Sequence, residues 1–290
     1  MEIKTAKIKK TMNNFPSQGE EIHSLALYFF KRGIIMNLLF LGDVVGAIGT
    51  NFVEDRLRGI KKYYNIDMTV INGENSANGN GITPQSAKQL FDCGADVITT
   101  GNHCYRRKEI YSMLESEQML LRPANFPEGN PGHGYCIYDM GSCQVAVINL
   151  MGTVYMEALD NPFTVIDNIL GKIDIPNIIV DFHAEATGEK KAMGFYLAGK
   201  VTAVFGTHTH VQTADEMILS EHTGYITDVG MCGPELSALG VKAEIAIEKQ
   251  RFHGPVRFAE ADTPPFINGV FIEFNHNNGK CVAIERLIIR

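Results

Sequence analysis

Val201-Thr202-Ala203-Val204-Phe205-Gly206-Thr207-His208-Thr209-His210 is the stretch on which the fold class turns. Its first five residues are β-branched, aromatic or small, and predict a buried strand. The two histidines then sit just past the carboxyl end of that strand. On extended backbone, side chains two positions apart point the same way, so both imidazoles can ligate metal. Four other strand-like runs end in the same kind of residue. Residues 37–41 lead into Gly42-Asp43, and residues 68–71 into Asn72-Gly73-Glu74-Asn75. Residues 96–100 lead into Gly101-Asn102-His103, and residues 177–182 into His183. Open α/β sheets present their ligands at the carboxyl ends of strands. The five ends therefore predict one rim of two carboxylates, two amides and four imidazoles.

Helical patterns fill the gaps between these runs. One covers about residues 50–64. A second starts at Thr83-Pro84, with proline at the first helical position, and runs through Leu90 to Cys93. A third covers residues 107–114. Further strands are predicted over residues 143–150 and 224–230. Residues 268–274 and 281–288 alternate in polarity around a polar turn at 275–279 and predict a hairpin. Strands alternating with helices early, and more strand late, predict an α/β sandwich of two β-sheets flanked by α-helices.

Composition narrows the functional classes. With 290 residues and 45% hydrophobic content, the chain can bury a large core as a single domain. A formal net charge of −7 argues against general nucleic-acid binding and against an anionic membrane surface. The six cysteines, at 93, 104, 136, 143, 232 and 281, form no Cys-x-x-Cys pair and suit a reducing, cytoplasmic setting. No apolar stretch has transmembrane length. Residues 1–35 differ from the rest, with six Lys/Arg against three Glu, where the remainder has twenty against thirty Asp/Glu. They read as a non-native or disordered N-terminal extension, with one domain over residues 36–290 starting at Met36.

The rim oversupplies one metal ion. Two ions about 3.5–4 Å apart that share a carboxylate would use all of it. Mixed imidazole, carboxylate and amide donors suit iron, manganese or zinc better than magnesium or calcium. The order Gly-Asp, Gly-Glu-Asn, Gly-Asn-His, a lone His and Gly-Thr-His-Thr-His resembles the calcineurin-like metallophosphoesterase superfamily, and within it the YmdB-type phosphodiesterases. Arg122-Pro123-Ala124-Asn125, residues 180–187 and residues 226–231 add to the resemblance, which runs from Met36 almost to the C-terminus. Most of the superfamily carries a histidine two positions after the first aspartate. Val45 stands there in this chain, as in the YmdB-type branch.

What the resemblance implies is specific. The fold is the calcineurin-like sandwich. One metal is held by Asp43, Glu74, Asn75 and His210, and a second by Glu74, Asn102, His183 and His208, with Glu74 bridging. The ions are iron or manganese ahead of zinc, and the substrate is a small phosphodiester, a cyclic nucleotide of the 2′,3′-cyclic AMP type. Hydroxide generated between the metals attacks phosphorus and His103 protonates the leaving group. The protein forms a homo-oligomer, for which the late hairpin offers a surface. Two other functions are compatible with the residues: a phosphomonoesterase or nucleotidase on the same scaffold, and an RNA-associated regulatory protein with a structural metal. Around the rim, Asn78 to Gly81 read as a flexible lip. Lys190-Lys191 and residues 106–108 read as candidates for steering substrate, and Asp215, Glu216 and Asp228 as candidates for orienting histidines.

Overall fold

A strand whose alternate residues are apolar on both faces has to lie between two covering layers. β1 (Ile35–Leu41) does so. It sends Leu38 and Phe40 to one side and Leu39 and Leu41 to the other, and all four are fully buried. The computed structural model describes residues 34–290 apart from Gly79. The expected N-terminal extension, except for its last two residues, lies outside the described residues.

Among the described residues there are two sheets. In the first, β3 (Met68–Asn72) and β4 (Val97–Thr99) run parallel to β1 on one side. On the other side lie β12 (Pro265–Asn275), β11 (Met231–Pro234) and the short β2 (Asp43–Val44), with β13 (Lys280–Ile289) added on β12. β12 and β13 form the expected hairpin, with a register shift at Glu273/Phe274. The second sheet has the order β5 (Tyr135–Asp139), β6 (Gln144–Met151), β7 (Ile178–His183), β8 (Ala203–Thr207), β10 (Thr223–Ile226) and β9 (Met217–Leu219). Its central pairings, β6 with β7, β7 with β8 and β8 with β10, are parallel.

Three apolar layers hold the sheets and helices together. Leu38, Phe40 and Val70 of the first sheet meet Val145, Ile179 and Phe205 of the second in the middle. The Phe40 and Phe205 rings lie 4.9 Å apart there, each burial contributing about 1.5–3 kcal/mol. Leu39, Leu41 and Ile71 turn outward to α1 (Gly46–Tyr64) and α2 (Pro84–Cys93), meeting Val53, Leu57 and Leu90. Ile148, Val180 and Phe182 turn outward to α4 (Pro162–Leu170) and α5 (Thr187–Leu197), meeting Ile166, Met193 and Leu197. This is the α/β sandwich of two sheets flanked by helices.

Several elements differ from the pattern reading. α1 starts at Gly46, ahead of residue 50, because Val45 precedes it without a capping side chain to mark the boundary. The helix expected over 107–114 is a 3₁₀ turn at Lys108–Ile110 followed by the short α3 (Tyr111–Ser116). The single strand expected over 224–230 is interrupted. β10 ends at Ile226 in the second sheet, and the chain re-enters the first sheet as β11. A further helix, α6 (Ala243–Phe252), buries no residue. All six cysteines are free thiols. No helix among the described residues is long and apolar enough to cross a membrane.

Candidate metal centre

The parallel strands of both sheets bring their carboxyl ends to one edge of the sandwich. Asp43 opens β2, Glu74 and Asn75 follow β3, and Asn102 and His103 follow β4. From the other sheet, His183 closes β7, and His208 and His210 follow β8. Asp43, Glu74 and His183 are fully buried. His103 keeps its side chain 30% exposed, more than any other histidine of the set.

The geometry groups these residues around Glu74. On one side, His210 Nε2 lies 3.7 Å from Asp43 Oδ1 and 3.3 Å from Asn75 Nδ2, and Asn75 Nδ2 donates to Glu74 Oε1 at 2.8 Å. On the other, His183 Nε2 lies 2.9 Å from Asn102 Oδ1, 3.1 Å from His208 Nδ1 and 3.3 Å from Glu74 Oε2. Ligand atoms of Glu74, His183 and His208 all fall within 4.8 Å of one another, close enough to hold one ion. Asp43 Oδ1, although buried, accepts no hydrogen bond. A buried carboxylate oxygen without a donor is costly, and a cation is the partner such an atom fits. The donor set therefore fits metal.

The backbone of the histidine pair is not extended. His208 has φ +99° and His210 φ +64°, conformations that cost about 1–3 kcal/mol each. Surrounding hydrogen bonds hold the turn in place. The His208 amide donates to Asp43 Oδ2 at 3.1 Å. Thr209, between the two histidines, donates to Asp228 Oδ2 from its amide at 3.1 Å and from its hydroxyl at 2.7 Å. Asp228 thus fixes the turn through Thr209 and touches neither imidazole. Lys190 Nζ donates to the same Asp228 oxygen at 2.6 Å, with both side chains 1% exposed, so Lys190 is a buried strut and cannot steer substrate. Asp215, held down to about 2 by Lys191 and Thr227 against the effect of burial, also faces no histidine.

Charges shape each group. Burial alone would raise Glu74, but His183 and His103 hold its carboxyl well below the usual range. Burial raises Asp43, and His210 and His183 offset only part of that. Burial would lower His183, yet Glu74, Asp43 and Asp181 lift it to about 9. Burial and the neighbouring His183 push His208 down to about 3, leaving a neutral imidazole able to ligate.

Other residues of the site escaped the sequence reading. Thr207 Oγ1 donates to Asp181 Oδ1 at 2.7 Å and so receives the His183 Nδ1 proton at 2.9 Å, which aims Nε2 at the rim. Asp181 also accepts from Asn72 and Thr99 of the opposite sheet. A carboxylate inside the otherwise apolar run 178–182 was the available signal. Glu185 Oε2 lies 3.1 Å from His208 Nε2 and orients that ring from behind. A Cβ at Gly101 would collide with the His183 imidazole and with Glu74 Oε2. The expected lip is tied down, since Arg107 donates to the carbonyls of Asn78 and Asn80; Gly79 lies outside the described residues.

Comparison with known proteins agrees with this architecture. The 2′,3′-cyclic-nucleotide 2′-phosphodiesterase of Bacillus subtilis strain 168 is 44% identical over 256 residues, covering 88% of this chain and 97% of that protein. The crystal structure of a novel phosphatase from Mycoplasma pneumoniae has a TM-score of 0.84 at 34% identity, over 88% of this chain and 93% of that one. A hypothetical protein from Thermus thermophilus has a TM-score of 0.83 at 37% identity, over 87% and 98% respectively. The family model described as YmdB-like protein matches residues 39–287. By sequence, fold and the residues gathered at its rim, the chain belongs to the YmdB-like family and is a phosphoesterase.

Proposed function

We propose that the protein is a phosphodiesterase with a two-metal centre, acting on cyclic nucleotides of the 2′,3′-cyclic type. The observation that carries this reading is the position of Glu74, whose two carboxylate oxygens face different ligand groups. Asp43, Asn75 and His210 would hold one ion with Glu74, and Asn102, His183 and His208 the other. For Asn75 this requires its amide to turn by 180°, because Nδ2 now faces His210 and Oδ1 faces His103. These donors suit iron, manganese or zinc, and the family resemblance supports iron or manganese ahead of zinc. Two such ions supply Lewis acidity toward phosphoryl oxygens and lower the pKa of bound water. The six free thiols accord with a cytoplasmic location.

His103 has the geometry of a proton donor to the leaving group. Its Nδ1 lies 3.1 Å from Glu74 Oε1 and 2.9 Å from Asn75 Oδ1. The Glu74 carboxylate oxygen only accepts, so Nδ1 carries a proton, and the second proton of the imidazolium, on Nε2, is the one left for the leaving oxygen. The His103 amide also donates to Glu74 Oε2 at 3.1 Å, which fixes the residue beside the centre. The name carried by the Bacillus subtilis relative supports 2′,3′-cyclic nucleotides as the substrate class.

Elemental analysis of protein purified without chelator, paired with turnover of 2′,3′-cyclic AMP, tests this reading. About two transition-metal ions per chain are expected. His103→Ala should keep them and lose roughly 10²–10⁴-fold in turnover, whereas Asp43→Ala should lose one of the two ions and turnover with it. Full turnover in His103→Ala would remove this residue from the chemistry. Faster turnover of p-nitrophenyl phosphate than of bis-p-nitrophenyl phosphate would favour a monoesterase.

A further inference from the structure

Beside the rim lies a cavity of about 270 Å³. One wall is the site itself, with Asn75, His103 and His210. The opposite walls are largely apolar: Val45, Leu239, Val241 and Phe258. This wall is built from two distant segments clamped together. The Ala261 amide donates to the Gly240 carbonyl at 2.9 Å, and the Lys242 amide to the Ala259 carbonyl at 3.0 Å. Gly240, at φ +98°, lies directly against Val45, since a Cβ there would meet Val45 Cγ1 at 2.5 Å. The wall is also tied to the rim, because His210 Nδ1 donates to the Leu239 carbonyl at 3.1 Å and so turns Nε2 toward Asp43.

Two large apolar side chains at this wall remain open to solvent. Phe258 is 58% exposed and Leu239 51% exposed. Exposed apolar groups gathered around a concave site mark a place where a ligand completes the surface. The chemistry of that ligand follows from what it must carry: a phosphodiester at the rim, joined to a flat group with apolar faces. The volume lies near the lower end of small-molecule sites, roughly 300–1,000 Å³, and suits one nucleoside rather than an oligonucleotide.

We propose that this cavity is a nucleoside-base site, with Phe258 as the stacking face and Val45, Leu239 and Val241 as the apolar floor. The proposal rests on the phosphodiesterase reading above and adds to it the group that selects nucleotides over other diesters. Stacking on an aromatic ring tolerates different bases, so the site distinguishes nucleotide from non-nucleotide more strongly than base from base. Val45 has a defined part in it. An imidazole at that position would replace the floor of the base site with a polar ring.

The experiment compares 2′,3′-cyclic AMP with the methyl riboside 2,3-cyclic phosphate, which has the same reacting ring and no base. It runs on metal-loaded wild-type, Phe258→Ala and Phe258→Trp. Binding of adenosine is followed separately by NMR titration. Wild-type protein is expected to favour the nucleotide in kcat/KM. Phe258→Ala should cut that preference by roughly tenfold, through KM more than kcat, and weaken adenosine binding by the same factor, while Phe258→Trp restores both. Equal kcat/KM for the two substrates in wild-type protein, or an unchanged preference and unchanged adenosine binding in Phe258→Ala, overturns the base site and leaves the phosphodiesterase reading standing. Absence of turnover on both substrates overturns the phosphodiesterase reading instead. In that case adenosine binding lost in Phe258→Ala upholds the base site, and adenosine failing to bind wild-type protein overturns it.

Discussion

Gly101 shows how much of a site can depend on a missing side chain. Its neighbours in space are the His183 ring and the Glu74 carboxylate, and both occupy the volume a methyl group would need. Gly101→Ala should therefore displace two groups of the rim without touching the apolar layers. The expected result is loss of bound metal and of turnover, with far-UV circular dichroism close to wild type and an unfolding midpoint close to that of chelator-treated wild-type protein. Unaltered metal content in this variant would show that the rim has slack. In the sequence Gly101 reads only as a turn before Asn102, since close approach is a relation between segments. Glu185 was hidden for the same reason: its partner, His208, lies on a different strand end. Asp43, Glu74, Asn75, Asn102, His103, His183, His208 and His210 were legible because position at a strand end is a local property. The conformation of the histidine pair was not, because hydrogen bonds donated to Asp43 and Asp228 impose the positive φ angles from outside the segment.

Elements were readable where their own residues mark them, and obscure where another element defines them. α4 had a signal that went unused, Asn161-Pro162, in which Asn161 caps the Phe163 and Thr164 amides. α5 contains Gly188 and Gly194, which weaken any helical pattern, and Gly194 is there because the Tyr225 ring packs against it. Residues 224–230 look like one strand because apolar character continues through Val229, yet the chain changes sheets inside that run. That crossing is anchored by Asp228, which joins it to α5 through Lys190 and to the histidine turn through Thr209. Replacing Lys190 by Met leaves a carboxylate buried without its cation, a loss typically of about 3–5 kcal/mol. Urea unfolding of Lys190→Met should register a decrease of that order. A decrease under about 1 kcal/mol, the range of exposed ion pairs, would mean that the pair is not acting as a buried one.

For the molecule as a whole, the class of fold was the most legible feature, because runs such as residues 37–41 and 201–205 are apolar on both faces and so require covering on both. The assignment of strands to two sheets was not, because it is set by which apolar faces meet in the middle layer. That assignment has a mechanical side. Asp43, Glu74, Asn75 and Asn102 stand on one sheet and His183, His208 and His210 on the other, so any ion held by this set is a clasp across the seam of the sandwich. Its binding energy would then be shared with folding, and stability would follow the free-metal concentration, by about 2.7 kcal/mol at a hundred times the dissociation constant. Chelator-treated protein should melt at a lower temperature and recover when manganese or iron(II) is returned, whereas Asp43→Ala, which keeps the ligands of only one ion, should recover by a smaller amount. Identical melting of treated and untreated wild-type protein would show that the seam is closed by its apolar layer alone. A cell short of these metals would then be expected to lose the protein itself, through unfolding and turnover, along with its activity.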